Sequence, residues 1–179
     1  MRVFTAPEEV TLSKYDVTCF LAGGIQNCPN WQRDVIDILK SIAGLNDLVV
    51  FNPRRDNFPI HDPNAAQEQI QWEFNHLQTM DIFTMFFCDG PSDQPICMYE
   101  LGRNLVRMQD RFPDDFVNRT VITCDQNYRR KQDVEIQTGL AIGQKDLPSL
   151  VYLGDDYKDL IAHHAFNIKF AYQLVKEKM

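Results

Sequence analysis

Two glutamates, Glu73 and Glu100, have the residue type and the placement that acid–base and nucleophilic chemistry require. Each directly precedes an apolar residue of a helical stripe, Phe74 and Leu101, so both carboxyls should flank the buried face of a helix. If they converge, one can stabilise or capture the oxocarbenium-like state at an anomeric carbon, and the other can protonate the leaving group. A like charge nearby would raise the pKa of the acid. Two solvated surface glutamates fit the same pattern.

Other polar and flexible residues carry weaker signals. Gly23-Gly24 lets a ligand approach the backbone, although a plain strand-to-helix turn explains it equally, and its spacing matches neither common nucleotide fingerprint. Arg54 could bind an anion or pair with an acid of this acidic chain. His164 lies on the apolar stripe of the last helix and is expected in the core. No histidine or cysteine stands at metal-ligand spacing, so no metal site is predicted.

Five apolar runs, separated by helical stripes, are the elements that must position these residues. They span residues 18–22, 48–52, 81–88, 120–124 and 150–153. Alternating strands and helices predict an α/β fold: a single doubly wound, flavodoxin-like domain with a five-stranded, mainly parallel sheet. Ligands bind such a sheet beyond the carboxyl ends of its strands, where this chain has small, charged or amide-bearing residues.

Composition limits the classes of partner. The chain has 18 Lys and Arg against 25 Asp and Glu, a net charge of −7, which disfavours nucleic-acid polymers and favours a small ligand. Its five cysteines are odd in number and include no Cys-x-x-Cys pair, so neither a disulfide framework nor a zinc site is expected. We expect a cytoplasmic protein without signal peptide or membrane span, with an N-terminal extension over 1–16 and the α/β domain over 17–179.

Motifs spread from about residue 17 to residue 137 carry a family resemblance. They read Phe20-Leu21-Ala22-Gly23-Gly24-Ile25, Trp31, Phe51-Asn52-Pro53-Arg54-Arg55, Gln71-Trp72-Glu73, Met80-Asp81-Ile82, Pro95-Ile96 and Tyr99-Glu100-Leu101-Gly102. In this order, with an acid upstream of Glu-Leu-Gly, they resemble the nucleoside 2-deoxyribosyltransferase family.

The resemblance implies roles for single residues. Glu100 would attack the anomeric carbon and form a glycosyl-enzyme intermediate, while Glu73, where many members have Asp, would assist protonation of the base. Gly23 or Gly24 would line the sugar pocket. Further substrate contacts are expected from residues that end or follow the strands: Asn52, Arg54, Asp93, Gln94 and Asn127.

The nature of the substrate stays open at this point. Six positions before the nucleophile, family members carry an Asp that contacts the 5′-hydroxyl, or a Ser that holds the phosphate in related 5′-monophosphate N-glycosidases. This chain has Gln94 there. The resemblance implies a nucleoside or nucleotide and a free nucleobase as partners, no metal and no organic cofactor. It also implies a homodimer or higher oligomer, because members complete the pocket with a residue from a neighbouring subunit.

Three other functions compete with transfer of the 2-deoxyribosyl group. They are hydrolysis of a nucleoside 5′-monophosphate, hydrolysis of NAD by a Toll/interleukin-receptor-type glycohydrolase, and nucleotide sensing without turnover. One geometric difficulty concerns Glu73. If its helix begins near Asn64, this residue lies about 14 Å below the start, which is deep for a site at the strand ends.

Overall fold

The computed structural model describes residues 1–59, 61–143 and 150–179, and these contain six strands and five α-helices. The strands are β1 (Arg2–Thr5), β2 (Val17–Gly23), β3 (Leu48–Asn52), β4 (Ile82–Phe87), β5 (Thr120–Asp125) and β6 (Val151–Gly154). The helices are α1 (Trp31–Ser41), α2 (Ala65–Thr79), α3 (Pro95–Arg111), α4 (Lys131–Ala141) and α5 (Tyr157–Glu177). A 3-10 turn, Val117–Arg119, precedes β5.

The strands form one parallel sheet in the order β1-β3-β2-β4-β5-β6. Without β1, this is the doubly wound order of the flavodoxin-like fold, as predicted. The predicted count of five strands is wrong, because β1 pairs with β3 and extends that edge. This four-residue strand lies in the predicted N-terminal extension, and its residues are at most half-buried, so it lacks the apolar run by which the other strands were recognised.

Alternating side chains of the strands enter two apolar cores. In β2, Cys19 and Leu21 pack toward α1 and α5, whereas Phe20 and Ala22 pack toward α2 and α3. β4 follows the same rule, with Phe86 on the first side. Both faces of the central strands are therefore covered, which explains why these strands are apolar along their whole length. None of the described helices has the length and apolar character needed to cross a membrane.

A disulfide joins Cys28, in the loop after β2, to Cys88, directly after β4. The expectation that the cysteines contain no disulfide is wrong for this pair. The two residues are 60 positions apart, so local spacing does not pair them, but β2 and β4 are neighbours and bring their carboxyl ends together. Cys19, Cys97 and Cys124 are buried free thiols. The cytoplasmic location stays a prediction.

Candidate active site

A cavity of about 280 Å³ lies against the sheet on the side covered by α2 and α3. Glu73 and Glu100 both line it, together with Gly23, Gly24 and Gln94. Its wall also includes Phe20, three residues before the end of β2, so it reaches roughly 10 Å down the sheet from the strand ends. This depth removes the geometric difficulty: α2 does begin at Ala65, directly after Asn64, and the cavity extends down to Glu73.

Glu100 enters the cavity from the second turn of α3. Pro95 occupies the first position of that helix, where its missing N–H needs no partner. Burial raises the pKa of Glu100 to about 7; the charge of Glu73 adds to the rise, and Arg103 opposes it. A carboxyl with this pKa can hold or release a proton near neutrality.

Glu73 enters from α2 and is held by a residue one turn earlier. Gln69 donates from Nε2 to Glu73 Oε1 over 2.8 Å. Burial raises the pKa of Glu73, and the hydrogen bond from Gln69 partly offsets the rise. The two glutamates thus form a coupled pair of acids, each of which resists ionisation in this apolar wall.

Gln94 presents an unpaired acceptor to the cavity. The residue is buried, caps α3 in the left-handed conformation with φ of 47°, and donates from Nε2 to the carbonyl of Cys88 over 2.8 Å. Its Oε1 is buried and finds no hydrogen-bond partner within the described protein. An unsatisfied amide oxygen that borders a cavity suits a ligand with a hydroxyl or N–H donor.

The glycine pair fits two separate constraints. Gly23 has φ of +152°, and a Cβ on it would lie 2.4 Å from the carbonyl oxygen of Phe86. A Cβ on Gly24 would lie 2.3 Å from Gln94 Oε1. The turn is fixed by hydrogen bonds from the Gly24 N–H to Phe86 and from the Trp31 indole to the Gly24 carbonyl. Gly23 is therefore required by the sheet, and Gly24 by the cavity.

Four of the predicted contact residues lie outside this lining. Asn52 and Arg54 border a different pocket beside α1, where the guanidinium of Arg54 donates to the carbonyls of Cys28 and Pro29. Asp93 and Asn127 are exposed in loops. Asp93 pairs with Arg129 at 3.2 Å, and the backbone N–H of Asn127 donates to Asp125. Their roles in substrate binding stay predictions.

The charged residues of the lining disfavour anionic ligands. Among the described residues, the lining contains two carboxyls and neither lysine nor arginine. Cys97, one turn before Glu100, also lines the cavity, and burial raises the pKa of its thiol to about 12. A neutral ligand therefore enters at lower electrostatic cost than an anion.

No group of three or more acidic, histidine or cysteine side chains in the described part of the chain could hold a metal ion.

Among the residues that sequence reasoning missed are Gln69, which donates to Glu73, and Cys97, which lines the cavity. The signal for Gln69 was its position four residues before Glu73, a spacing at which helical side chains meet. Cys97 precedes Glu100 by three residues, which places both on one helix face. Neither residue belongs to the motifs that drew attention to the glutamates.

Comparison with models of known protein families gives a match. A family model described as nucleoside 2-deoxyribosyltransferase like matches residues 16–111, more than half of the chain. The matched segment contains every residue named above in the lining of the cavity. A search of curated proteins found no match.

Proposed function

This chain belongs to the nucleoside 2-deoxyribosyltransferase-like family, and on that premise we propose that it cleaves the N-glycosidic bond of a (deoxy)nucleoside in the cavity between α2 and α3. The 2-deoxyribosyl group then passes to a second nucleobase. The observation that carries this proposal is the pair Glu73 and Glu100, which line one cavity from two helices and lie close enough for the charge of Glu73 to raise the pKa of Glu100.

In the first step, Glu100 Oε forms a bond to the anomeric carbon while the bond from that carbon to the base breaks. The electron pair of the broken bond goes to the base nitrogen, and a proton from Glu73 neutralises it. In the second step, a nitrogen of the incoming base attacks the anomeric carbon and Glu100 leaves as a carboxylate. The proton of the incoming base returns to Glu73. Each displacement inverts the anomeric carbon, so the two steps together retain its configuration.

The protonation state needed for this sequence is a pair that holds one proton. Without substrate, the pKa of Glu100 near 7 and the donor from Gln69 to Glu73 favour the proton on Glu100. Positive charge that develops on the sugar beside Glu100 favours its ionised form and shifts the proton toward Glu73. Substrate would thereby prepare the nucleophile and the acid in one event.

Within this class, the lining favours a nucleoside over its 5′-monophosphate. Its described residues offer no cation to a phosphate, and the free Oε1 of Gln94 accepts a hydrogen bond from a hydroxyl. Two carboxyls near a phosphate would add repulsion. The same argument disfavours NAD, which carries two phosphates. Hydrolysis of either compound is the alternative that the experiment must test.

We also propose that the chain acts as a homo-oligomer. The two helices that carry the glutamates also carry exposed apolar side chains, Ile70 on α2 and Ile96 and Tyr99 on α3, each more than 60% accessible, and Ile96 lines the cavity. A second copy that covers them would bury apolar surface and narrow the entrance to the cavity. Sedimentation velocity should show a dimer or larger species, and a monomer at high protein concentration would contradict this assignment.

The experiment that tests the function uses a panel of nucleosides, 5′-monophosphates and NAD, each with and without an acceptor base, analysed by mass spectrometry. The parent should exchange bases, and Glu100→Ala should lose roughly 10³-fold or more of that activity. Glu68→Ala, an exposed glutamate on α2, is the matched control and should keep it.

Each other outcome identifies a rival function. Release of base without transfer indicates a hydrolase, and release of nicotinamide indicates an NAD glycohydrolase. A nucleoside that raises the melting temperature but stays intact indicates a binding module. Parent-like turnover by a correctly folded Glu100→Ala variant would overturn the assignment of the nucleophile.

A further inference from the structure

Gln69 does not line the cavity, but it contacts Glu73, one of the two acids that do. Its Nε2 donates to the carbonyl oxygen of Pro53, over 2.5 Å, and to Glu73 Oε1, over 2.8 Å. Pro53 itself lines the cavity at the start of the loop between β3 and α2. One side chain thus connects the loop at the cavity wall to one of the two acids.

The orientation of this amide is determined by its partners. Both hydrogens of an amide nitrogen are donors, and here each faces an oxygen acceptor. A flipped amide would place Gln69 Oε1 against the Pro53 carbonyl and the Glu73 carboxylate, three acceptors without a donor. The observed orientation leaves Gln69 Oε1 buried without a hydrogen-bond partner in the described structure, which is energetically unfavourable. The pair of donated bonds outweighs that cost.

We propose that Gln69 is a positioning residue that fixes the Glu73 carboxyl and determines which of its oxygens, and which of the two glutamates, carries the proton. Glu73 Oε1 accepts from Gln69, so a proton on Glu73 resides on Oε2 while this bond persists. The consequence for turnover rests on the function proposed above. The effect on ionisation does not depend on it.

Electrostatics of the cavity support the same assignment. The hydrogen bond from Gln69 lowers the pKa of Glu73 against the effect of burial, and the charge of Glu73 raises the pKa of Glu100. Among the described residues, Cys97 and Arg103 on α3 are the other groups coupled to the pair: the two acids raise the pKa of Cys97, and Arg103 lowers that of Glu100. Loss of the Gln69 donor should therefore raise the pKa of Glu73 and lower the pKa of Glu100.

The test compares two substitutions of opposite effect. Gln69→Met keeps the length and helix preference of the side chain but has no donor, so it should raise the pKa of Glu73 and lower that of Glu100. Gln69→Lys has a charged donor and should lower the pKa of Glu73. Carbon NMR of protein labelled at the glutamate carboxyl carbons measures the pKa values of both glutamates, and the variants Glu73→Gln and Glu100→Gln assign the two signals. In the parent, the side-chain N–H signals of Gln69 should titrate with Glu73.

The matched control is Gln71→Met, which removes an equivalent hydrogen bond, from Gln71 to Asn75 over 2.9 Å, on the exposed side of the same helix. It should leave both titrations unchanged. For turnover, Gln69→Met should lower kcat about tenfold with little change in KM, and the basic limb of its kcat profile should move to higher pH. In Gln69→Lys that limb should move to lower pH.

Titrations of Glu73 and Glu100 that are the same in the parent and both Gln69 variants would overturn the proposal. Equal changes of these titrations in Gln71→Met would also overturn it. So would Gln69 side-chain N–H signals in the parent that do not shift as Glu73 titrates. If the parent cleaves no nucleoside, the proposed function fails, and the titrations still decide the role of Gln69.

Discussion

The negative charge of Glu73 raises the pKa of Glu100, although the two side chains come from different helices, α2 and α3. Burial contributes the largest part of the rise, and Arg103 opposes it. Both carboxyls line one cavity, so protonation of one changes the affinity of the other for its proton. Such a pair is suited to chemistry in which one acid ionises while its neighbour holds a proton.

The raised pKa of Glu100 predicts a cost in stability at high pH. From about pH 4.5 to pH 7 the folded chain binds this proton more tightly than the unfolded chain, so the stability contributed by Glu100 falls as pH rises through that window. Glu100→Gln has no charge to bury and should be more stable than the parent at pH 8, by about 1–3 kcal/mol. At pH 4.5 this advantage should vanish. Urea unfolding at both values measures it, with the exposed Glu68→Gln as control.

An advantage of Glu100→Gln that is equal at pH 4.5 and pH 8 would contradict the assigned cause. It would show that packing of the amide, and not the buried charge, changes the free energy of unfolding.

His164 predicts a pH dependence of opposite sign. Its Nδ1 lies 2.9 Å from Thr123 Oγ1, its Nε2 is buried with no hydrogen-bond partner in the described structure, and burial lowers its pKa to about 3. The unfolded chain takes up this proton first, so the stability contributed by His164 is lost progressively as pH falls from about 6.5 toward 3. At pH 5 the loss should be about 2 kcal/mol.

His164→Gln is uncharged at every pH and should lack this dependence. Glu100 acts in the opposite direction over the same range, so the measurement is the difference between variant and parent in urea unfolding at pH 5 and at pH 7.5. His61→Gln, at an exposed histidine, is the control. A difference that does not vary with pH would mean that His164 is charged or solvated in the folded chain.

The parallel sheet was predictable because four of its strands are apolar on both faces, and β1 was missed because it is short and half-buried. The glutamates were predictable from helical spacing and motif order. Asn52 lies outside this cavity because Phe51 packs toward α2, so alternation along β3 turns its neighbour toward α1. The disulfide and the hydrogen bond from Gln69 to Pro53 depend on distances between segments that residue patterns do not determine.

Gly23 and Gly24 should respond differently to alanine. At Gly23, a Cβ would meet backbone, the carbonyl oxygen of Phe86 at 2.4 Å, which cannot move without breaking the sheet. Gly23→Ala should therefore lower stability by more than about 2 kcal/mol. At Gly24, the nearest atoms are Gln94 Oε1 at 2.3 Å and Cys28 Sγ at 2.5 Å, which is held by the disulfide to Cys88. Gly24→Ala should therefore displace the Gln94 amide and lower stability, but by less than Gly23→Ala, because no backbone atom is among its nearest contacts.

Thermal unfolding and nucleoside kinetics separate the two outcomes. Gly24→Ala should raise KM for a nucleoside about tenfold or more, while its melting temperature falls less than that of Gly23→Ala. Gly102→Ala, at a helical glycine with open space around its Cβ, is the control: it should leave KM unchanged and raise the melting temperature slightly, because alanine favours the helix. A Gly24→Ala variant with parent-like KM would exclude close contact between substrate and this turn.

Substrate charge is open to a direct test at Ile96, which lines the cavity and is 66% exposed in the first turn of α3. Because Ile96 also belongs to the proposed contact between copies, sedimentation velocity first verifies that each variant keeps the oligomeric state of the parent. Because the described lining has no lysine or arginine, the parent should prefer a nucleoside to its 5′-monophosphate. Ile96→Arg adds a cation at the entrance and should raise kcat/KM for the monophosphate about tenfold, an effect that weakens at high salt. Ile96→Gln is the neutral control, and Val106→Arg places the same charge further along the exposed side of α3.

An equal gain in Val106→Arg would mean that general electrostatic attraction, and not the chemistry of the entrance, sets the preference. A parent that already favours the monophosphate would contradict the preference inferred from this lining and would require a cation from outside it, such as one from a second copy.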